Sequence, residues 1–365
     1  MLAAMPALLI AATAQAASFT ETKLTASDAA AGGYFGSSVA ISGTTAIIAA
    51  PGSGNGSVYL YDTATGKQTA KLTISDTAKD DDFGTAVAIS GTTAIVGAFV
   101  ENNATGGAAY LYDTTTGKQT AKLIPGDSFK NDMFGTSVAI AGTTAIVGAT
   151  GTGSGAAYLF DTTTGRQTAK LTGKDSPKYD FGTSVAISGT TAIVGAPGGA
   201  DSGAAYLFDT TTGKQTAKLI PSDLAENDFF GFSVAISGTT AIVAAKGSDN
   251  NHGAAYLFDT TTGAQTAKLT GGDPAKKDFF GASVAISGTT AIVSTFEKSS
   301  VSGATYLFDT TTGAQLAKFT PSVPAKKDYF GASVAISGTT AIIGALGAGD
   351  KGLLNSGAAY LVHRQ

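Results

Sequence analysis

The stretch Phe280–Val293, FGASVAISGTTAIV, decides the fold because near-copies of it recur along the chain. Its opening Phe-Gly pair appears seven times, with the phenylalanines at Phe35, Phe83, Phe134, Phe181, Phe230, Phe280 and Phe330. Neighbouring copies lie between 47 residues apart (Phe134 to Phe181) and 51 residues apart (Phe83 to Phe134). Such a period is typical of propellers and solenoids. The pattern therefore predicts one repeat domain.

Each repeat contains four segments with the character of β-strands. In the fifth repeat, Ser233–Ser237 and Thr240–Ala244 flank a tight Gly-Thr turn. Gly253–Phe258 and Gln265–Leu269 flank the segment Asp259–Gly263, in which Asp caps the turn and Gly supplies a positive φ. Two such hairpins, repeated radially, form the four-stranded blades of a β-propeller.

The two ends of the chain complement each other. The last repeat stops after its third strand-like segment, Gly357–Val362, and lacks the fourth. Near the N-terminus, Lys23-Leu24-Thr25 followed by Asp28 repeats the pattern of Lys268-Leu269-Thr270 followed by Asp273. We therefore predict an all-β, seven-bladed propeller with four antiparallel strands per blade. A strand at about Thr20 to Leu24 completes the last blade and leaves no open sheet edge.

Composition excludes several classes of function. The net charge of −4, with only 14% charged residues, argues against nucleic-acid binding, which needs a clustered basic face. The chain has no cysteine, so disulfides, thiol nucleophiles and thiolate metal sites are excluded. The two histidines, His252 and His363, have no catalytic partners that sequence can identify.

Residues 1–16, MLAAMPALLIAATAQA, have the pattern of a signal peptide. An apolar run ends in Ala14-Gln15-Ala16, the small-x-small pattern that precedes signal-peptidase cleavage. We predict a mature domain over residues 17–365, secreted and located outside the cell, in the periplasm or at the cell surface. The alternatives are a misassigned start and an apolar anchor, although Pro6 and the short run disfavour a spanning helix.

The fourth repeat carries the clearest family signature. Phe181-Gly182 is followed by Gly195-Ala196-Pro197 and then by Gly203–Phe208, GAAYLF. With its six companion repeats, this resembles the FG-GAP repeat family over residues 18–365. The best-known members are the seven-bladed propellers of integrin α subunits, and bacterial members are secreted. The resemblance implies an integrin α-like propeller, with cell adhesion or protein binding as the expected role.

The family's calcium site is not expected to carry over. Integrin-like repeats often hold an Asp-rich calcium loop between their first two strands. Six repeats here have Ser-Gly-Thr-Thr at that place, and the third has Ala141-Gly142-Thr143-Thr144. These short segments contain no carboxylate for a cation that prefers six to eight oxygens.

Most acidic and aromatic residues occupy repeated positions, which favours structural roles. Asp opens the second hairpin turn, follows the fourth strand and precedes Phe-Gly in nearly every repeat. The mid-strand tyrosines are expected to pack between blades; they are Tyr59, Tyr110, Tyr158, Tyr206, Tyr256, Tyr306 and Tyr360. A cation held by the blade-linking loops, such as Asp273–Asp278, stays an alternative to ion pairing with Lys276 and Lys277.

Only the second connection of each repeat varies strongly in length and chemistry. In a propeller this connection and the blade-linking segment emerge on the same face, where we expect any specificity to lie. The candidate binding residues are Glu101, Asn103, Asp249, Asn250, Asn251, His252, Glu297, Lys298 and Asp350. Drift in unconstrained loops would produce the same variation. No catalytic residue or metal ligand is assigned.

These observations predict a monomeric, non-enzymatic extracellular binding or adhesion module. Its partner would be a protein or glycan at a cell surface or matrix, and the mature chain would not insert into a membrane. Three alternatives stay open. They are a lectin-like or Ca²⁺-assisted glycan binder with several weak sites, a polysaccharide-degrading enzyme with carboxylates at the central mouth, and a structural component of an envelope or matrix. No cofactor is expected unless Ca²⁺ binds.

Overall fold

A computed structural model describes residues 18–74, 82–99, 106–127, 131–151, 153–174, 180–198, 202–272, 279–295, 303–323, 327–349 and 352–364. The proposed signal peptide, residues 1–16, lies outside this range. The described chain forms seven four-stranded sheets, each of which is one blade. The expected all-β, seven-bladed propeller is confirmed.

The strands follow one another in chain order around the ring. Blade 1 contains β2 (Val39–Ser42), β3 (Thr45–Ala50), β4 (Ser57–Asp62) and β5 (Lys67–Leu72), and blade 2 contains β6 (Phe83–Ser90), β7 (Thr93–Ala98), β8 (Ala108–Asp113) and β9 (Lys118–Leu123). Blade 3 contains β10 (Phe134–Ala141), β11 (Thr144–Ala149), β12 (Ala156–Asp161) and β13 (Gln167–Leu171), and blade 4 contains β14 (Ser184–Ser188), β15 (Thr191–Ala196), β16 (Ala204–Asp209) and β17 (Lys214–Leu219).

Blade 5 contains β18 (Phe230–Ser237), β19 (Thr240–Ala245), a short helix α1 (Ser248–Asn251), β20 (Ala254–Asp259) and β21 (Gln265–Leu269). Blade 6 contains β22 (Val284–Ser287), β23 (Thr290–Thr295), β24 (Ala304–Asp309) and β25 (Gln315–Phe319). Blade 7 contains β26 (Phe330–Ser337), β27 (Thr340–Ala345), β28 (Ala358–Arg364) and β1 (Phe19–Leu24). Among the residues that the structure describes, no helix is long and apolar enough to cross a membrane.

The N-terminal strand closes the ring as predicted. β1 pairs antiparallel with β28, from Phe19 opposite Arg364 to Leu24 opposite Ala359. It begins one residue before the predicted Thr20. The ring of Phe19 also contacts that of Phe319 edge-on, with centroids 4.6 Å apart, so the closing strand packs against blade 6 as well. The first and last segments of the described chain thus share one sheet.

The turns follow from local chemistry. In blade 4, Ser188 pairs with Thr191, which leaves only Gly189 and Thr190 in the first turn. Gly189 has φ 57°, as expected for a two-residue turn with Gly first. In the third turn, the Asp209 carboxylate accepts hydrogen bonds from the amides of Thr211 and Thr212, at 3.0 and 2.8 Å. These interactions confirm the predicted capping role of Asp in the second hairpin.

Within the described ranges, the hydrophobic core is divided into seven clusters, each shared by neighbouring blades. Between blades 4 and 5, Leu207 and Leu219 pack with Phe230 and Tyr256. The Phe230 and Tyr256 rings meet at 71° with centroids 5.7 Å apart, an edge-on arrangement favoured by aromatic quadrupoles. All seven repeated tyrosines are at most 4% exposed, which confirms the expected packing role.

One repeated feature was not predicted. The residue immediately before each Phe-Gly pair has a positive φ, between 44° and 77°, although none is glycine. These residues are Tyr34, Asp82, Met133, Asp180, Phe229, Phe279 and Tyr329. Left-handed backbone is unfavourable for bulky residues, so the surrounding contacts must hold it in place. The chain enters every blade through this strained residue.

Candidate functional site

The second connection and the blade-linking segment meet on one face of the ring. In blade 5, the Gly247 amide donates a hydrogen bond to the Asp228 carbonyl at 3.0 Å. The Phe280 amide, at the entrance to blade 6, donates to the His252 carbonyl at 2.9 Å. This confirms that variable loops and blade-linking segments share a face. The side chains of two successive linking segments and one variable connection can therefore surround a common space.

Such a space lies where blade 5 meets its neighbours. It is a cleft of about 450 Å³, which we call the blade-5 cleft. Its polar wall contains three carboxylates, one histidine, one lysine and a serine; these residues are Asp223, Asp228, Asp249, His252, Lys268 and Ser248. Backbone and apolar groups of Gly253, Ala254 and Phe280 form other parts of the lining. The cleft is large enough for a small polar ligand.

The short helix α1 forms one side of the blade-5 cleft. The Asn251 amide donates to the Gly247 carbonyl at 3.0 Å, and the Gly253 amide donates to the Ser248 carbonyl at 2.9 Å. Asp249 and Asn251 have φ values of 50° and 72°, a backbone region that Asp and Asn tolerate better than most residues. The run of Asp and Asn in this connection therefore serves its backbone conformation.

Asp249 and His252 form a pair at the rim. Oδ2 of Asp249 lies 3.1 Å from Nδ1 of His252. The Asp249 side chain is 73% exposed and the His252 side chain is 24% exposed, so the pair presents its carboxylate to solvent. Ser248, by contrast, is only 3% exposed.

Asp223 and Lys268 form a second pair deeper in the junction. Lys268 Nζ lies 2.5 Å from Asp223 Oδ2 and 5.3 Å from the centroid of the Tyr256 ring. The hydrogen bond from Lys268 is the main cause of the lowered pKa of Asp223. Burial is the largest single influence on Lys268 and lowers its pKa, but Asp223 and Tyr256 together outweigh burial, so the pKa of the amine is raised. Both groups are therefore charged at neutral pH.

Asp228 is a buried residue in the lining of the blade-5 cleft. It is 3% exposed, and its Oδ2 accepts a hydrogen bond from the Ala225 amide at 2.9 Å. The carboxylate thereby fixes the linking segment that enters blade 5. It is one of the Asp residues that precede Phe-Gly, so this repeated position does have the expected role in chain folding.

Blade 3 has a smaller cleft at the equivalent position. It has a volume of about 180 Å³ and is lined by Asp127, Asp132, Gly155, Tyr158 and Lys170, among others. Lys170 Nζ lies 2.5 Å from Asp127 Oδ2, as Lys268 does from Asp223. The same Asp and Lys positions of the repeat therefore build a polar recess twice. We call this the blade-3 cleft.

The lysine partner of the blade-linking Asp differs from the one expected. In the described junctions, Asp28, Asp127 and Asp223 pair with Lys71, Lys170 and Lys268. These lysines come from the fourth strand of the following blade rather than from the linking loop. The loop Asp273–Asp278, for which pairing with Lys276 and Lys277 was expected, lies outside the described residues.

The nine candidate residues are placed unequally. Asp249 and His252 line the blade-5 cleft. Asn251 lies in α1, where its carbonyl accepts from the Phe279 amide at 3.2 Å. Asn250 also lies in α1, but its side chain is outside the described part of the chain. Five candidates lie outside the described residues altogether: Glu101, Asn103, Glu297, Lys298 and Asp350.

Sequence reasoning missed Asp223, Asp228 and Lys268 because each occupies a repeated position, and recurrence favours a purely structural interpretation. One signal in the sequence could have found two of them. The spacing between the linking Asp and the fourth-strand Lys of the next blade is nearly constant, at 43 residues for Asp28 and Lys71 and 45 for Asp223 and Lys268.

The side chains that could bind a cation do not come together as a metal site in the described residues. Across the described ranges, no group of three or more His, Asp or Glu side chains is arranged to hold a metal ion. The first turn of every blade contains only two residues, Gly and Thr, between paired strand ends. No residue is therefore assigned as a Ca²⁺ ligand.

Comparison with curated proteins found no match, whereas comparison with known families was informative. The FG-GAP repeat matches residues 19–61, 67–112, 118–160, 166–208, 214–258, 264–308 and 314–362. Each matched unit starts on the fourth strand of one blade, or one residue before it, and ends on the third strand of the next blade, so the sequence repeat is offset from the blade by one strand. Because these seven matches cover most of the sequence, the chain belongs to the FG-GAP repeat family.

Proposed function

We propose that this propeller is a non-enzymatic extracellular binding module and that the blade-5 cleft receives its ligand. The supporting observation is the convergence of Asp223, Asp228, Asp249, His252 and Lys268 around one recess on the variable-loop face. Rigid scaffolds commonly place recognition on such loops, and ligand sites are concave with a few convergent polar groups. A location outside the cell is part of this proposal; the signal-peptide pattern of residues 1–16 and the typical extracellular occurrence of FG-GAP repeat proteins support it.

Binding rather than catalysis is proposed because the charged groups of the cleft have partners within the protein. Asp223 is paired with Lys268, Asp249 lies against His252, and Asp228 accepts a backbone hydrogen bond. A general acid or base needs a pKa suited to proton transfer near the working pH. The lowered pKa of Asp223 and the raised pKa of Lys268 move both groups away from that range.

The test is a binding assay with the mature protein, starting at Ala17. Labelled protein is applied to intact cells, to isolated extracellular matrix and to a glycan array, with calcium and again with a chelator. The double variant Asp249→Ala/His252→Ala is compared with Lys214→Ala, which alters an exposed side chain at the start of β17, next to the third turn on the opposite face. We expect the double variant to lose binding at least about tenfold, equivalent to roughly 1.4 kcal/mol, and Lys214→Ala to bind normally.

Unchanged binding by a correctly folded double variant would overturn the proposal for this cleft. If the unmodified protein binds with calcium but not with the chelator, the Ca²⁺-assisted alternative would be favoured. Release of sugar fragments from the array would favour the polysaccharide-degrading alternative. Absence of binding to all three materials would favour a structural role in an envelope or matrix.

A further inference from the structure

The junction between blades 6 and 7 departs from the repeat at its outer strands. In blade 5, the Asp223 carboxylate of the linking segment is held by Lys268 of the fourth strand. Six linking segments carry this Asp in the sequence, whereas the segment that enters blade 7 carries Val323 at the same place. The Val323 side chain is 78% exposed. Lys23, the fourth-strand lysine of blade 7, therefore lacks the linking carboxylate that the repeat provides elsewhere.

Aromatic packing is also reduced at this junction. In blades 1 to 6, the Phe of each Phe-Gly pair contacts two other rings of its blade, as Phe230 does with those of Tyr256 and Phe258. In blade 7 a Val occupies the place of the second ring, and among the described residues Phe330 has a ring contact only with Tyr360. Because these clusters face the preceding blade, blade 7 has one aromatic contact fewer in its cluster with blade 6.

The outer strand of blade 6 is covered differently from the others. The Leu that ends the fourth strand is at most 3% exposed in the other six blades, whereas Phe319, which replaces it, is only partly buried. Elsewhere the third turn of the next blade covers this Leu; a Cβ on Gly263 would lie 3.9 Å from Leu219. Blade 7 has no third turn, because its third and fourth strands come from opposite ends of the chain. Phe19 covers Phe319 instead.

A small cavity and a polar side chain interrupt the core between blades 6 and 7. The cavity has a volume of about 40 Å³ and is lined by Phe19, Leu307 and Val362, among others. Leu307 also packs in one cluster with Phe330, so the same face of β24 points toward blade 7. Thr305 lies two residues earlier on this face and replaces the Ala of five other blades. Its hydroxyl is one of four buried side-chain atoms in the described residues that have no hydrogen-bond partner.

The inner strands of blades 6 and 7 keep the contacts of the repeat. The Ser287 hydroxyl accepts a hydrogen bond from the Gly338 amide at 3.1 Å, the same interaction that joins blades 5 and 6. A second bond between a serine hydroxyl and an amide lies further along these two inner strands. At the outer side, the Ser322 hydroxyl donates to Glu21 at 2.6 Å, where other blades use a backbone amide and a Gln. The departures are therefore confined to the outer part of the junction.

The junction between blades 7 and 1 is complete by comparison. Asp28 binds Lys71 and accepts a hydrogen bond from the Tyr59 hydroxyl. The Tyr61 hydroxyl donates to the Thr25 carbonyl at 2.7 Å. The chain also runs directly from β1 of blade 7 into blade 1. Blade 7 is therefore fixed more firmly to blade 1 than to blade 6.

We infer that the ring contains a gate, formed by β24 and β25 of blade 6 and by β28 and β1 of blade 7. The gate opens when these outer strands separate, and the inner strands β22 and β26 act as its hinge. The missing linking Asp, the missing second ring, the absent third turn and the buried Thr305 hydroxyl all weaken contacts between the outer strands. Opening exposes apolar surface, so the closed state predominates and opening is a local fluctuation. The gate is independent of the ligand proposed for the blade-5 cleft.

The chain has no cysteine, so a single introduced thiol can report the opening. Thr305→Cys places a thiol between blades 6 and 7. The controls Ala205→Cys and Ala359→Cys place a thiol at the same strand position between blades 4 and 5 and between blades 7 and 1. All three positions are fully buried. The folded mature proteins are incubated with N-ethylmaleimide, and modification is followed by intact-protein mass spectrometry. We expect Thr305→Cys to react at least about tenfold faster than either control.

Restoring the repeat should close the gate. Val323→Asp returns the linking carboxylate to Lys23, and Val362→Phe returns the second ring. Each change, made together with Thr305→Cys, should slow the reaction about threefold or more. Asp223→Val, made together with Ala205→Cys, is the converse change and should speed the reaction between blades 4 and 5.

A second pair of variants repeats the test if Thr305→Cys impairs folding. Ser294→Cys lies opposite Thr305 in the same sheet, and Ala244→Cys is its control between blades 5 and 6. Equal rates at all junctions would overturn the gate, because global unfolding exposes every thiol alike. Reaction of the blade-6 thiol only at urea concentrations that unfold the whole protein would overturn it as well. A rate that neither Val323→Asp nor Val362→Phe changes would overturn the assignment of the opening to the outer strands.

Discussion

At the residue scale, two glycines of blade 4 have positive φ for different reasons. Gly203 precedes β16 with φ 92°, and a Cβ there would lie 2.2 Å from the Phe230 carbonyl oxygen of blade 5. Gly189, in the first turn, has φ 57°, and a Cβ there would meet no heavy atom within 4 Å. Position 203 therefore requires glycine because the backbones of two blades come into contact there. Position 189 requires glycine only because of its local backbone conformation.

We predict that Gly203→Ala destabilises the protein far more than Gly189→Ala. Gly189→Ala adds only the penalty of a left-handed backbone conformation, about 1 kcal/mol. Gly203→Ala also adds a clash with fixed backbone and should cost roughly 3 kcal/mol or more. Urea unfolding followed by circular dichroism measures both changes in unfolding free energy. Similar costs for the two variants would show that blades do not contact through Gly203.

The aspartates of the third turns make the stability of the protein depend on pH in the acid range. Hydrogen bonds from the side chain of Thr211 and the amide of Thr212 lower the pKa of Asp209 from 3.8 to about 2. Hydrogen bonds from Thr261 and Thr262 likewise lower the pKa of Asp259 to about 2. Because the folded pKa lies below the unfolded one, the unfolded chain takes up protons first as the pH falls. This stabilisation is present above about pH 4 and is lost as the pH falls toward 2.

We therefore expect the free energy of unfolding to decrease between pH 4 and pH 2, and to decrease less steeply in Asp209→Asn/Asp259→Asn. The measurement is chemical denaturation at a series of pH values. Glu226→Gln, at an exposed residue of a linking segment, is the control and should retain the steep dependence. Parallel pH profiles for the wild type and the double variant would contradict the capping explanation.

At the element scale, the inner strands are joined by serine side chains. The Ser188 hydroxyl at the end of β14 accepts a hydrogen bond at 3.1 Å from the Gly238 amide in the first turn of blade 5. The same interaction joins Ser42 to Gly91, Ser90 to Gly142, Ser237 to Gly288 and Ser287 to Gly338. Blade 3 carries Ala141 at this position, so it has no hydroxyl to offer blade 4.

Ala141→Ser should therefore stabilise the ring. The new hydroxyl would accept a hydrogen bond from the Gly189 amide, worth about 0.5–1.5 kcal/mol. Ser188→Ala, which removes the equivalent bond between blades 4 and 5, should lower stability by a comparable amount. The melting temperatures of the Ala141→Ser and Ser188→Ala variants, measured by thermal unfolding, test both expectations. Failure of Ala141→Ser to raise the melting temperature would mean that the junction between blades 3 and 4 has a different geometry.

At the scale of the whole molecule, stability depends on closure because the core is shared between blades. Each hydrophobic cluster needs two neighbouring blades, and the cluster between blades 7 and 1 combines Leu361 with Phe35 and Tyr59. β1 covers β28, and its Leu24 is 3% exposed in the same cluster. Without β1, one blade would have three strands and an open edge.

Removal of residues 18–25 should therefore destabilise the entire propeller and promote association through β28, since unpaired strand edges recruit other strands. The expected result is a large loss of melting temperature, with oligomers seen by size-exclusion chromatography with light scattering. A chain that begins at Ser18 is the matched control and should stay monomeric. An unchanged melting temperature after the deletion would show that the ring does not depend on β1.

The sequence alone determined the ring and its local chemistry. The period of Phe-Gly specified seven blades, and the missing fourth segment of the last repeat located the closing strand to within one residue of Phe19. Turn residues such as Asp209 and Gly213 were predictable because their roles depend on neighbours within a few positions. The buried tyrosines followed from their place in apolar strands.

Only the tertiary structure decided how residues far apart in the chain meet. Asp223 contacts Lys268 because a linking segment lies against the fourth strand of the next blade, which no local pattern encodes. The positive φ of Phe229 is equally hidden, since Met, Asp, Tyr and Phe all occupy that position. The Tyr59 hydroxyl likewise donates to Asp28 only because the third strand of blade 1 lies against the segment that enters the blade. Near-identical repeats therefore share one fold, while packing between blades decides which of them can form a site.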